Sequence, residues 1–86
     1  MSVEYYRKRL IDLRADVAKE REAKKRDNEH YADLVKRATS PSSKASYRKQ
    51  KIDRAASHDH RIESLKREIE RTNETLKRER ERAKRK

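Results

Sequence analysis

The chain has 86 residues, half of them charged and 30 % hydrophobic, and a formal net charge of +11. So short and polar a chain forms one domain at most and cannot bury a thick globular core. Cysteine, phenylalanine, tryptophan and glycine are absent, which excludes disulfides and disfavours the tight turns of a β-rich domain. A disordered basic chain and a solvated helix or coiled coil remain as candidate classes.

In the first half of the chain, apolar residues recur at alternating spacings of three and four. This periodicity predicts a helix over residues 2–39 with one apolar stripe along it. The stripe is interrupted by Glu20, Lys24 and Asp27, so the middle of this helix has a polar seam. Its apolar members are Val3, Tyr6, Leu10, Leu13, Val17, Tyr31 and Leu34.

The only proline of the chain, Pro41, lies in the segment "TSPSS". A residue before proline avoids the α region, and proline is favoured at the first position of a helix. Ser40 is therefore a candidate N-cap, with Ser42 and Ser43 as alternatives. We expect a bend over residues 40–43, because one helix continuing through Pro41 costs about 3 kcal/mol.

The second half repeats the spacing with Ile62, Leu65, Ile69 and Leu76, which predicts a helix over 44–83. Ile52 continues the apolar face after a small phase slip. A bend this short joins antiparallel neighbours, so the numbers of paired residues sum to roughly 82 in ideal geometry. This register sets the polar seam of the first helix opposite Ala55, His58 and Asp59.

The predicted fold is an all-α, antiparallel two-helix coiled-coil hairpin comprising residues 1–86 as a single domain. A lone hairpin buries few side chains, so we expect a homo-oligomer, most simply a dimeric four-helix bundle, or packing on the helices of a partner. The expected interface residues are Val3, Tyr6, Leu10, Leu13, Val17, Tyr31, Leu34, Ile52, Ile62, Leu65, Ile69 and Leu76.

Positive charge is concentrated near the bend, over 36–54, and in a basic tail over 77–86. Such runs are usually solvated faces, but they are also the charge pattern of non-specific, salt-sensitive phosphate binding to nucleic acid. A bZIP-like reader is disfavoured because its basic region precedes the zipper. The candidate phosphate contacts are Lys44, Arg48, Lys49, Lys77, Arg78, Arg80, Arg82, Lys84, Arg85 and Lys86.

His58 and His60, with His30, are the only candidates for a metal site. His58 and His60 are two residues apart, so on a helix their side chains point about 200° from each other. Histidine pairs that chelate a metal on a helix are separated by four residues. A polar layer whose association depends on pH is the simpler interpretation. No nucleophile has a neighbouring base and no glycine-rich phosphate loop exists, so we expect neither catalysis nor a cofactor.

The segments "ATSPSSKASYRKQKIDRA" and "RIESLKREIERTNETLKRER" resemble the coiled-coil region that precedes the TIR (Toll/interleukin-1 receptor) domain in bacterial TIR proteins. The similarity covers residues 37–82, and Thr39–Ser42 carry most of it. It implies self-association that holds effector domains together in bacterial immunity. This chain has no βαβ pattern of a TIR domain, so the NAD-cleaving activity of that family has no residues here to carry it.

The chain also lacks an N-terminal apolar run typical of a signal peptide and any stretch near the 18 apolar residues of a membrane span. A cytoplasmic protein is therefore expected. The leading functional hypothesis is a non-enzymatic oligomerisation module that scaffolds or regulates a partner such as a TIR-type effector. The alternative is a basic helical protein that contacts the phosphates of nucleic acid.

Overall fold

A computed structural model describes residues 2–85 as two long helices joined by a short bend. Helix α1 comprises Val3–Arg37 and helix α2 comprises Pro41–Lys84. The helices run antiparallel, and the molecule measures 70 × 14 × 12 Å along its principal axes. The predicted all-α helical hairpin is confirmed, and no strand occurs within the described range.

The bend is shorter than expected and lies earlier in the chain. Helix α1 ends at Arg37 rather than 39, and helix α2 begins at Pro41 rather than 44. Ser40 has the extended backbone that a following proline imposes, with φ −112° and ψ 147°, and its Oγ accepts a hydrogen bond from the Ser43 N–H at 3.1 Å. Because Ser40 caps the helix, residues 41–43 become its first turn.

The other helix ends are also satisfied by local groups. Ser2 caps α1 by accepting a hydrogen bond from the Tyr5 N–H at 3.3 Å. At the opposite end of α1, the Ala38 N–H donates to the carbonyl of Leu34 at 3.0 Å. Helix α2 ends at Lys84, one residue beyond the expected boundary.

The apolar core is a thin seam between the helices in the half of the hairpin away from the bend. Leu13 is its most buried member, with only 1 % of its surface exposed. Near the bend the apolar side chains of α1, Tyr31, Leu34 and Val35, are only half-buried. The buried apolar side chains of the described residues are Leu10, Leu13, Val17, Ile62 and Leu76.

The expected phase slip that would bring Ile52 into the seam is wrong. Ile52 is 69 % exposed, and the inward side of α2 passes instead through Lys51, Ala55 and the buried His58. Counted back from Ile62, these positions follow at separations of four, three and four residues, so the helical periodicity continues without interruption. A helix that turned Ile52 inward would rotate His58 away from α1 and break its hydrogen bonds.

The register of the hairpin is given by its cross-helix polar contacts. The numbers of the paired residues sum to values from 77 to 85, around the roughly 82 expected for ideal geometry. Neither described helix is long and apolar enough to cross a membrane.

Candidate functional site: a buried polar layer and two unlike flanks

A buried histidine connects the two helices at the middle of the hairpin. His58 on α2 is only 9 % exposed. Its Nδ1 lies 2.5 Å from Oε1 of Glu20, and its Nε2 lies 2.5 Å from Oδ2 of Asp27. Glu20 and Asp27 are one heptad apart on α1, so they lie on the same face and hold the imidazole between them.

Both ring nitrogens of His58 must donate, because an ionised carboxylate only accepts hydrogen bonds. The imidazole is therefore held in its charged form. Hydrogen bonds to Asp27 and then Glu20 raise the pKa of His58 above its ordinary value, and burial opposes this shift. Hydrogen bonding to His58 likewise lowers the pKa of both carboxyl groups.

Two further ion pairs flank the histidine. Lys24 Nζ lies 2.6 Å from Oδ1 of Asp59, and Arg61 Nη1 lies 3.5 Å from Oε1 of Glu20. The seam is polar here on both helices, and no buried side-chain N or O atom of the described residues lacks a hydrogen-bond partner. This layer fixes the register, since a shift of one residue would leave His58 without its partners.

The polar layer does not have the geometry of a metal site. Its two carboxylates lie on opposite sides of the imidazole, and both ring nitrogens of His58 are occupied by hydrogen bonds. His60 is exposed, and the ring of His30 packs edge-on against that of Tyr31 at 5.3 Å. Within residues 2–85, no group of three His, Cys, Asp or Glu side chains is arranged to hold a metal ion.

A simple signal in the sequence indicates His58. The spacing of Ile62, Leu65 and Ile69, extended back by four residues, falls on position 58. The partners are also on the α1 stripe, because Glu20 and Asp27 follow Leu13 by one and two heptads. The sequence thus places all three on the seam, but it does not show that they meet.

The expected interface residues occupy three different environments. Leu10, Leu13, Val17, Ile62 and Leu76 are buried within one hairpin, so they are not free to contact a second chain. Ile52 is exposed. The other six are half-buried: Val3, Tyr6, Tyr31, Leu34, Leu65 and Ile69.

The seam divides the surface of the hairpin into two flanks. We call one the balanced flank; its groove of about 460 Å³ is lined by both charge signs. Farther along this flank, the Arg9 guanidinium donates to Glu68, and this contact raises the pKa of Arg9. The groove is lined by Asp16, Lys19, Glu20, His60, Arg61, Ser64 and Leu65.

We call the other the basic flank; it carries two grooves. The terminal groove, near the chain ends, has a volume of about 470 Å³ and the bend groove one of about 340 Å³. Both lie on the same flank, because Asn28 follows Arg14 by two heptads and Asn73 follows Ile52 by three. Arg7, Leu10, Ile11, Arg14, Asn73, Leu76 and Arg80 line the terminal groove; Asn28, Arg48, Lys51, Ile52 and Ala55 line the bend groove.

The structure does not bring the candidate phosphate contacts together. Lys44, half-buried, and the exposed Arg48 and Lys49 lie near the bend. The others lie at the opposite end of the 70 Å molecule, where Arg82 pairs with Glu79 at 3.5 Å. Lys86 lies outside the described residues. The exposed members of that group are Lys77, Arg78, Arg80, Arg82, Lys84 and Arg85.

Comparisons of the chain with protein-family models, with curated proteins and with solved structures gave no match.

Proposed function

We propose that the chain is a non-enzymatic helical interaction module that self-associates and holds a partner protein. The observation that supports this most is the thinness of the hairpin, whose seam within residues 2–85 buries five apolar side chains and completely encloses only Leu13. A two-helix layer leaves much of each apolar stripe half-covered, and a second layer would cover it. The partner class that the resemblance of Thr39–Ser42 suggests is a TIR-type effector.

Self-association is best supported on the balanced flank. In a two-fold symmetric interface the same patch meets itself, so a patch with both charge signs can supply each copy with opposite charges. Asp16 and Arg61 lie in one groove with the half-buried Leu65. The basic flank would place cations against cations and is disfavoured for this contact.

Asp16→Arg tests this interface by removing the negative charge at one edge of the groove. We expect the oligomer to shift toward the monomer in sedimentation velocity over a concentration series. Glu22→Arg is the matched control, because it makes the same charge change at an exposed position on the outer face of α1. An oligomer equally weakened by both variants, or a wild-type chain that stays monomeric while fully helical, would contradict the proposal.

A second candidate function is nucleic-acid binding through the basic ends. The observation that favours it is the exposure of the tail, where α2 has 44 residues against the 35 of α1 and extends past it. Lys84→Gln with Arg85→Gln should weaken binding to oligo(dT) in fluorescence anisotropy, more at low than at high salt. Unchanged affinity would exclude the tail as the contact.

A further inference from the structure

We propose that the basic flank binds single-stranded nucleic acid along its two grooves, with Arg7, Arg14 and Arg80 as the main phosphate contacts. This site differs from the two basic ends that the sequence indicates. The inference shares only its ligand class with the second candidate function above.

The terminal groove brings together three guanidinium groups from both helices. Arg7 and Arg14 are one heptad apart on α1, and Arg80 reaches the same groove from α2. Within residues 2–85 none of the three has a carboxylate at ion-pair distance, whereas Arg9 on the balanced flank is paired with Glu68. Planar guanidinium groups that lack an internal partner are well suited to phosphate oxygens.

The cationic surface continues along the molecule. Arg21 follows Arg14 by one heptad and is exposed, and Arg48 and Lys51 line the bend groove. Between the grooves Asp59, one heptad after Ile52, is paired with Lys24. In the observed register, Arg7 and Arg48 are separated by roughly 40 Å along the axis. Such a length suits a polymer with repeating negative charge better than a single small anion.

Each groove also has an exposed apolar side chain. Ile11 is 65 % exposed in the terminal groove, and Ile52 is 69 % exposed in the bend groove. Apolar side chains between cations favour contact with unstacked bases, which a single strand offers and a closed duplex does not. A flexible strand can also follow a straight groove, while the phosphates of a duplex wind away from it.

A second copy of the chain is a poor occupant of this flank. Residues 2–85 contribute five cations and no carboxylate to the lining of the two grooves. A parallel or an antiparallel pair of these flanks would therefore face cations with cations. An isologous contact here is opposed by charge repulsion, whereas a polyanion is attracted.

The test measures binding of fluorescein-labelled oligo(dT) of 20 nucleotides by anisotropy over a range of salt. We expect Arg7→Gln with Arg14→Gln to weaken binding about tenfold at low salt and to reduce the slope of log affinity against log salt by about 1.4, near 0.7 for each lost phosphate contact. The matched control is Arg26→Gln with Arg71→Gln, which removes two exposed charges from other faces. Control affinity should stay within about threefold of the wild type.

Arg80→Gln gives an independent measurement from the other helix and should also weaken binding. Circular dichroism verifies that all variants remain helical. Equal losses in the groove and control variants would overturn the proposal, as would tighter binding to poly-glutamate or to phosphatidylserine vesicles than to oligo(dT). Loss of affinity only in the tail variant Lys84→Gln with Arg85→Gln would reject the groove and keep the second candidate function, whereas no binding by the wild type would reject both.

Discussion

The two flanks of the hairpin differ in charge: one carries both signs and the other is basic along its two grooves. On the balanced flank, Arg9 meets Glu68 and Arg61 meets Glu20 across the helices. On the basic flank, Arg7, Arg14 and Arg80 line one groove without a carboxylate among the lining residues of the described chain. The net charge of +11 is thus unevenly distributed around the seam as well as along the chain.

This difference arises from heptad position rather than from composition. In an antiparallel hairpin each flank is formed by one set of positions on α1 and the facing set on α2. The set containing Arg9 faces Glu68, while in the terminal groove Arg7 and Arg14 face Asn73 and Arg80. Cross-helix pairing therefore neutralises arginines of the balanced flank and leaves those of the terminal groove available for anions.

Leu13→Ala is expected to have the largest effect, because both flanks depend on the seam below them. Truncating a fully buried leucine costs about 2–5 kcal/mol, which is large for so thin a core. Thermal denaturation followed by circular dichroism should show a strongly lowered midpoint, with self-association and oligo(dT) binding lost together. Ile52→Ala is the control, since Ile52 is exposed and its truncation should leave the midpoint nearly unchanged. If Leu13→Ala lowers the thermal midpoint only slightly, the seam does not stabilise the hairpin on which both flanks depend.

The second prediction concerns pH and the histidine that lies between the flanks. The folded pKa of His58 is raised above 6.5, so its stabilising contribution is complete below pH 6.5 and is lost as pH rises through the folded pKa. The pKa values of Glu20 and Asp27 are lowered from 4.5 and 3.8. Their contribution is complete above those values and is lost as pH falls through the folded pKa values.

Stability from this layer should therefore be greatest between about pH 5 and 6.5 and should decline on the alkaline side. Thermal midpoints measured from pH 5 to 9 should fall in the wild type. His58→Gln should lower the midpoint at pH 5.5 and flatten this decline, because the titrating imidazole is gone. His60→Gln, at an exposed position, should keep the wild-type profile. An identical alkaline decline in His58→Gln would assign the effect to another group.

The smallest expected effect on stability is at the bend, which joins the two helices that form the flanks. Ser40→Ala removes the hydrogen bond that caps α2 and should cost about 1 kcal/mol. Chemical denaturation should show a lower midpoint with an unchanged slope. Ser46→Ala, in an exposed position inside α2, should be neutral or slightly stabilising since alanine favours helix. A neutral Ser40→Ala would point to Ser42 or Ser43 as alternative caps.

Much of the fold follows from the sequence because heptad spacing and the single proline are local features. The stripe through Leu10, Leu13 and Val17 requires a helix with one apolar face, and Pro41 after Ser40 requires a break there. The antiparallel register then follows from the shortness of the bend. The sequence misleads at Ile52, because the apolar character of this residue favours the seam while the continued helical phase of Ile62 and His58 places it outside.

The helices, their antiparallel order and the polar level shared by Glu20, Asp27 and His58 follow from residue spacing alone. Only the packing of the two helices encloses His58 between both carboxylates and brings Arg7, Arg14 and Arg80 into one groove. Those outcomes depend on the rotation of each helix about its axis, which sets the facing partner of every flanking residue. Local spacing fixes the face on which a side chain lies, but only the packed pair fixes what that side chain meets.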